Sequence, residues 1–509
     1  MTEPVAFEDS PAAGSRGARI AALVGMRDVG RALRDFATYL PTQAIPAVAG
    51  FLVLPVLARR LAPTDLGILA LAQTLITLGW TAIGSWLTQV IIRELPAARE
   101  QNRVRSFALT FRRAIGLSAL AFSAFLVLIG LGAAVSDAIA SNLVLIAIAT
   151  AGLTIQNFAV SLYAASFRPV SFAVVDVLAR TGGIAVGVVL VFLGHGVQGY
   201  LLGLGVMSTI VGVVGLYFAW PVSTDAQAPA PGALSKWVRY GVPSSIAGLV
   251  LWGLFFIDRY LLAIFRSTHE VGVYSVGSAI GDKAVTLPTM AFFTAAGPLL
   301  VAAYERQGRT EVERLMREYT RVILLMGLPT VAFLVATSGI LVPALAGARY
   351  YHEAARVTPL IAVGSLIYVL ALVSNTGLVI AKKTLPLAAS AGVGLVVNIV
   401  ANIALIPPFG IIGSAIATPI GMAAYLIALQ FAARRHARWK FPVSTLLRAS
   451  TAAGIATVAA GAVATTFHSG APQVATIALL GGALYITVLA ALREHRVKSP
   501  SAALAEPPQ

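Results

Sequence analysis

From about residue 36 onward the chain alternates between apolar stretches of roughly 20 residues and short polar breaks, and each stretch is as long as a helix needs to cross hydrocarbon. The stretches begin near Phe36, Leu66, Ala114, Ala138, Ser171, Val197, Tyr240, Val271, Tyr319, Arg356, Leu385, Gly410, Thr445 and Gln473. The pattern predicts an all-α polytopic membrane protein with about fourteen transmembrane helices. Short segments of alternating polarity, which a membrane barrel requires, are absent.

Composition supports that reading. The 509 residues are 58% hydrophobic and 11% charged, against about 25% charged in soluble domains. The net charge of +16 would suggest nucleic acid in a soluble protein; among membrane spans it is loop charge that sets topology, and no nucleic-acid partner is needed. With the N-terminus inside, most of the 37 Lys and Arg fall in cytoplasmic segments, and the outer loops hold only Arg59, Arg60, Arg266, Arg349 and Arg356. Both termini are therefore predicted to be cytoplasmic. Arg180, Arg259 and Lys283 remain, all inside spans. The inner connectors Arg93–Arg113 and Glu305–Arg321 read as charged surface helices with i,i+4 pairs.

The first 35 or so residues lack the basic start and early apolar core of a cleaved signal peptide. Residues 20–36 read either as an interfacial helix carrying Arg27, Arg31 and Arg34 or as a solvated tail. There is no cysteine, and the six histidines show no metal-ligand spacing, so neither a disulfide framework nor a metal is expected. No loop is long enough for a catalytic domain, and an enzyme is not expected.

Part of the sequence recurs. Asp65-Leu66-Gly67-Ile68-Leu69, after the first span, aligns with Glu270-Val271-Gly272-Val273-Tyr274, after the seventh. Transporters are commonly built from such repeats, with the site between them. The reading is a cytoplasmic tail (1–35), an N-lobe of spans one to six (36–220), a Pro/Ala-rich linker (221–235), a C-lobe of spans seven to twelve (236–434), an added pair of spans (435–493) and a second tail (494–509). An even number of spans per copy makes the two lobes pseudo-symmetric about an axis along the membrane normal.

Three stretches, LPVLARRLAPTDLGILALAQTL, IDRYLLAIFRSTHEVGVYSVG and VVNIVANIALIPPFGIIGSAIAT, resemble the polysaccharide (O-antigen type) flippase family of the multidrug/oligosaccharidyl-lipid/polysaccharide exporter superfamily. The resemblance implies a flippase of a bacterial inner membrane. Such a protein carries undecaprenyl-pyrophosphate-linked oligosaccharide from the cytoplasmic to the periplasmic leaflet for surface polysaccharide synthesis, without ATP. Membrane lipids, a polysaccharide polymerase and a chain-length regulator are the partners it implies. A cation-coupled drug or metabolite exporter of the same superfamily is the alternative; a glycan polymerase or ligase would need a large outer loop.

The candidate residues are the polar ones inside spans, where a central charge costs about 2.5–3.5 kcal/mol and persists only if paired or wet. Asp282 and Lys283 lie in span eight, about 100° apart around the helix and so poorly placed to pair with each other. Lys283 reads either as a cargo-phosphate contact or as an ion pair locking span eight to a neighbour. GDKAVTLP resembles the A-D-R-x-x-x-x-P stretch of the lipid II flippases, whose basic residue lies in the cargo cavity, with lysine here in place of arginine. Arg180 is expected to pair with Asp176 at i,i+4 or to line the cavity, and Arg259 to snorkel to the interface. Asp258, Asn398, Asn402, Ser414 and Thr418 read either as a site for a coupling ion, H⁺ or Na⁺, or as hydrogen-bonding glue between helices. Asn398, Asn402 and Thr418 also resemble the sodium site of the lipid II flippases, in which an aspartate stands where Asn402 does.

Overall fold

The computed structural model describes residues 45–46, 48–133, 140–221, 231–350, 352–381, 383–464 and 471–492; the predicted N-terminal helix and both tails lie outside them. Among the described residues there is no β-strand. Helix α1 (48–60) belongs to the first predicted span. The second is a broken rod, α2 (Pro63–Ile83) and α3 (Ser85–Glu100), interrupted at Gly84. Then follow α4 (Val104–Ala133), α5 (Leu143–Ala165), α6 (Pro169–Leu190) and α7 (Gly196–Ala219). The second half of the chain gives α8 (Ala233–Phe265), α9 (Thr268–Gln307), α10 (Arg309–Ala346), α11 (Glu353–Ile380), α12 (Thr384–Phe409) and α13 (Ile411–Ala433), and the chain closes with α14 (Val443–Ala464) and α15 (Ala471–Ala491).

Ten stretches of the described residues are long and apolar enough to cross a membrane. Two of them, Pro169–Ala219 and Thr384–Ala433, are each a pair of helices joined by a turn of almost no length. Glycine permits both turns: Gly194 and Gly196 have φ of 91° and 52°, and Gly410 has φ of 58°, a region closed to most side chains. The charged connectors are not separate surface helices. α3 runs on to Glu100 and α9 to Gln307, because a helix keeps its backbone satisfied as it leaves the membrane. The expected charge pairs form on α10, Arg309–Glu313 at 2.8 Å and Arg321–Glu318 at 2.9 Å. α8 likewise starts at Ala233, inside the stretch read as linker.

Packing follows the same scheme in both halves. α5 packs on α2 and α7, and α6 on α7; in the second half α11 packs on α9 and α13, and α12 on α13. α14 and α15 pack on each other and on α10. The halves meet where α2 crosses α9. A Cβ on Gly67 would lie 1.9 Å from the Thr268 carbonyl oxygen, and one on Gly272 would lie 1.8 Å from that of Pro63. The contact is reciprocal, since Pro63 stands to Gly67 as Thr268 stands to Gly272 in the aligned segments, as for two copies about a two-fold axis. Tyr260 Oη and Trp252 Nε1 of α8 donate to α2, to the carbonyls of Leu71 at 3.0 Å and Thr74 at 3.1 Å. Toward the opposite end, a Cβ on Gly241 of α8 would lie 2.6 Å from the Trp86 carbonyl oxygen of α3.

Backbone cannot yield as a flexible side chain can, so Gly67→Ala and Gly272→Ala should each force α2 from α9 and cost about 1–3 kcal/mol. Thermal unfolding of the detergent-solubilised protein should show a lowered midpoint for both, with Gly116→Ala unchanged because its position has open space around it.

Candidate functional site

α9 is held between two helices by glycines on opposite sides. Gly272 faces α2, while Gly277 and Gly281 face α11, where a Cβ would lie 2.5 Å from the Ala354 oxygen and 2.3 Å from the Thr358 oxygen. Lys283 is eleven residues beyond Gly272, which is three turns, about 16 Å along the axis and within about 20° of the same face. Its Cβ therefore leaves α9 on the side that faces α2, below the crossing. Lys283 is 43% exposed and Asp282 34%, so neither is sealed in a dry helix contact.

Contrary to the spacing argument, the two side chains pair: Lys283 Nζ donates to Asp282 Oδ2 at 2.9 Å. A four-carbon stem is long enough to swing across the 100° between neighbouring positions. Ser365 of α11 donates to the other carboxylate oxygen, Oδ1, at 3.0 Å.

The second group lies near the C-terminal end of α8. Asp258 is buried and accepts from three donors: the Tyr274 hydroxyl of α9, the Arg259 backbone N–H at 2.8 Å and Arg259 Nη1 at 3.3 Å. Arg259 does not snorkel. Its side chain is 16% exposed and folds back to donate to the Phe255 carbonyl at 3.1 Å, because an adjacent buried carboxylate offers more than the interface does. Tyr274 Oη also lies 3.4 Å from Thr418 Oγ1 on α13, and Thr418 donates to the Ser414 carbonyl at 3.2 Å. On α12, Asn398 donates to the Ala417 carbonyl at 3.3 Å, and Asn402 donates to the Asn398 carbonyl at 2.9 Å and to its Oδ1 at 3.1 Å. Helix glue is thus visible. Yet Asn402 Oδ1, Ser414 Oγ and Ser275 Oγ are buried with no hydrogen-bond partner. Buried oxygens of that kind suit a hard cation, which takes about six oxygen ligands.

The third group is in the first half. Asp176 is buried and receives Arg180 Nε at 2.8 Å, as the i,i+4 spacing predicts. Gln156 Nε2 of α5 adds a contact at 3.4 Å. All three acids follow one rule: each pairs with a base one or four residues further along its own helix and takes a neutral donor from another helix, Tyr274, Gln156 or Ser365. Lys283, Arg180 and Arg259 therefore belong to three separate pairs. Tyr274 and Ser365 escape sequence reasoning. Tyr274 is sixteen residues from Asp258 and on another helix, and only the fold brings them together.

A sequence profile of the family described as polysaccharide biosynthesis protein matches residues 56–356. The probable flippase AglR of Haloferax volcanii is 27% identical over 319 residues, which is 60% of this chain and 64% of that protein's length. The structure of the lipid II flippase MurJ in an inward closed conformation superposes with a TM-score of 0.71 at 11% identity, covering 89% of this chain and 98% of MurJ. A multidrug MATE transporter in an inward-facing conformation superposes at 0.53 and 16% identity, covering 78% and 94%. The structural likeness is one of fold.

Removing Asp258 strands a buried guanidinium, so Asp258→Ala should cost about 3–5 kcal/mol. Tyr274→Phe should cost about 1–3 kcal/mol for the carboxylate oxygen it leaves short, and Thr418→Val less than either. Unfolding midpoints in detergent should fall in that order; equal stability of Asp258→Ala and wild type would show that the network holds nothing.

Proposed function

The chain belongs to the polysaccharide biosynthesis protein family, and we propose that it is a flippase-type member of the multidrug/oligosaccharidyl-lipid/polysaccharide exporter superfamily that carries undecaprenyl-pyrophosphate-linked oligosaccharide between membrane leaflets by alternating access. The observation that carries this reading is Lys283, half-exposed in mid-helix α9 and held only by a pair with the similarly accessible Asp282. A diphosphate entering low dielectric loses hydration worth several kcal/mol per charge, and a fixed cation offsets part of that loss. Asp282 makes the contact releasable. The cargo diphosphate displaces the carboxylate from Lys283, Ser365 still satisfies Asp282 while the lysine is engaged, and the internal pair re-forms as cargo leaves. A compact ammonium, without a bidentate grip, favours such exchange.

Two six-helix lobes, 36–220 and 236–434, joined by 221–235 and followed by the pair in 435–493, rock about the α2–α9 crossing in this reading, with about fourteen spans and both termini in the cytoplasm of a bacterium. The matched packing of the halves and the reciprocal glycine contact support it. A polymerase and a chain-length regulator would take over the flipped repeat unit. An exporter of cationic drugs shares the fold, but its chamber would carry acids in excess, and α9 offers a lysine.

For coupling, the reading is that Asn402 Oδ1, Ser414 Oγ and their neighbours hold Na⁺, with Asp258 as the charge that balances it; proton carriage by Asp258 is the alternative. A rise in unfolding midpoint with NaCl but not KCl, lost in Asn402→Ala, is the expected result. Equal response to both salts would leave the proton.

Lys283→Ala should abolish restoration of surface polysaccharide in a flippase-deficient strain and leave lipid-linked repeat units on the inner leaflet, while Lys283→Arg retains most activity. Asp282→Asn separates the two roles of the lysine: a cargo cation still engages its cargo but releases it more slowly, so activity falls only in part, whereas a purely structural pair fails as completely as it does in Lys283→Ala. Full activity of Lys283→Ala would remove the cargo role.

A further inference from the structure

A second basic feature lies far from Lys283, at the end of the molecule whose charge pattern predicts it to be cytoplasmic. There α3, α4 and α8 enclose an open cavity of about 400 Å³. Two helix starts converge on it. α4 begins just after Arg103, which follows a sharp turn at Asn102 with φ of 53°. α8 begins after Gly232, φ 74°, and no side chain among the described residues caps it. The N–H groups of its first turn therefore have no acceptor within the helix, and the positive end of its dipole opens into the cavity wall.

Three cations line the same space, Arg93, Arg103 and Lys236. Arg93 is engaged: its guanidinium lies 4.3 Å over the Tyr240 ring and its Nε 3.7 Å from Glu94, the acid in the wall. Arg103 and Lys236 are exposed and make no ion pair among the described residues. The floor is rigid, with Phe107 and Trp237 buried and their rings 5.1 Å apart. Like charges and an uncapped helix end gathered on a rigid floor repel one another unless an anion sits between them.

We infer that this cavity binds a phosphoryl anion, held by Arg103, Lys236 and the first-turn N–H groups of α8. The inference stands apart from the cargo reading, since it uses none of the residues assigned there. α3 and α4 belong to the first half of the chain and α8 to the second, so the bound anion bridges the halves and favours the arrangement in which they are close at this end. The phosphoryl group can come from an anionic lipid of the inner leaflet or from free phosphate.

The test is thermal unfolding of the full chain in detergent, titrated with inorganic phosphate or with dioleoylphosphatidylglycerol, against chloride and dioleoylphosphatidylcholine at matched ionic strength. The expected result is a saturable rise in midpoint whose apparent affinity falls at least tenfold in the double variant Arg103→Gln/Lys236→Gln. Arg103→Lys should retain it, and so should Arg113→Gln, which removes an exposed cation elsewhere on α4. A rise with both phosphate and phosphatidylglycerol identifies a site for the free anion; a rise with the lipid alone identifies a headgroup site. No rise beyond that of chloride, or one kept in the double variant, overturns the inference.

Discussion

The backbone-to-backbone approach of α2 and α9 sets what the rest of the molecule can do. At Gly67 and Gly272 no room exists even for a methyl group, and the atoms in the way are carbonyl oxygens of the other helix. Such close approach suits a membrane interior, where helices gain little from burying leucine against leucine and association rests on packing and small residues. It also fixes geometry. Once α2 and α9 cross there, Gly277 and Gly281 look toward α11, and the Cβ of Lys283 leaves α9 on the α2 side before its ammonium swings to Asp282. The position of Lys283 on α9 thus follows from glycines several turns away.

Hydrocarbon imposes the second constraint, that charge must be compensated within the protein. Here compensation is local first. Asp176 has Arg180, Asp258 has Arg259 and Asp282 has Lys283, all on their own helices. Each helix can therefore enter the bilayer close to neutral before it meets its neighbours. The interhelical hydrogen bonds from Gln156, Tyr274 and Ser365 then set register. Neutral donors are also the ones that a moving helix can release without stranding a charge.

Much of this was legible in the sequence. Apolar length located the helices, and the glycines at 194, 196 and 410 fall where the pattern placed span boundaries. The Asp176–Arg180 pair followed from spacing alone. What escaped did so for definite reasons. Asp282 and Lys283 pair because a flexible stem overrides the angle between adjacent positions, which a helical wheel does not represent. Arg259 turns inward because the outcome depends on how deeply Asp258 is buried, and burial comes from α9 and α13, not from α8. Tyr274 carries no signal of its own: an apolar-looking residue in a repeat motif becomes a donor only when two helices far apart in sequence are laid together. The helical pattern read in the charged connectors holds, but α3 and α9 run into them without a break, because charge on a helix marks a change of solvent and not a boundary.

The recurring segments that meet at the glycine crossing do not carry the same charges below it. In the alignment that pairs Gly67 with Gly272, the positions of Asp282 and Lys283 correspond to Thr77 and Leu78. A pyrophosphate resting on Lys283 would therefore be gripped from one side only, as a passenger of the second half, and the first half would serve as a neutral wall sliding past it. Transport by such a device needs no hand-over of the anion between two cations. On the proposed reading the head group would stay with one bearer while the doorway moved.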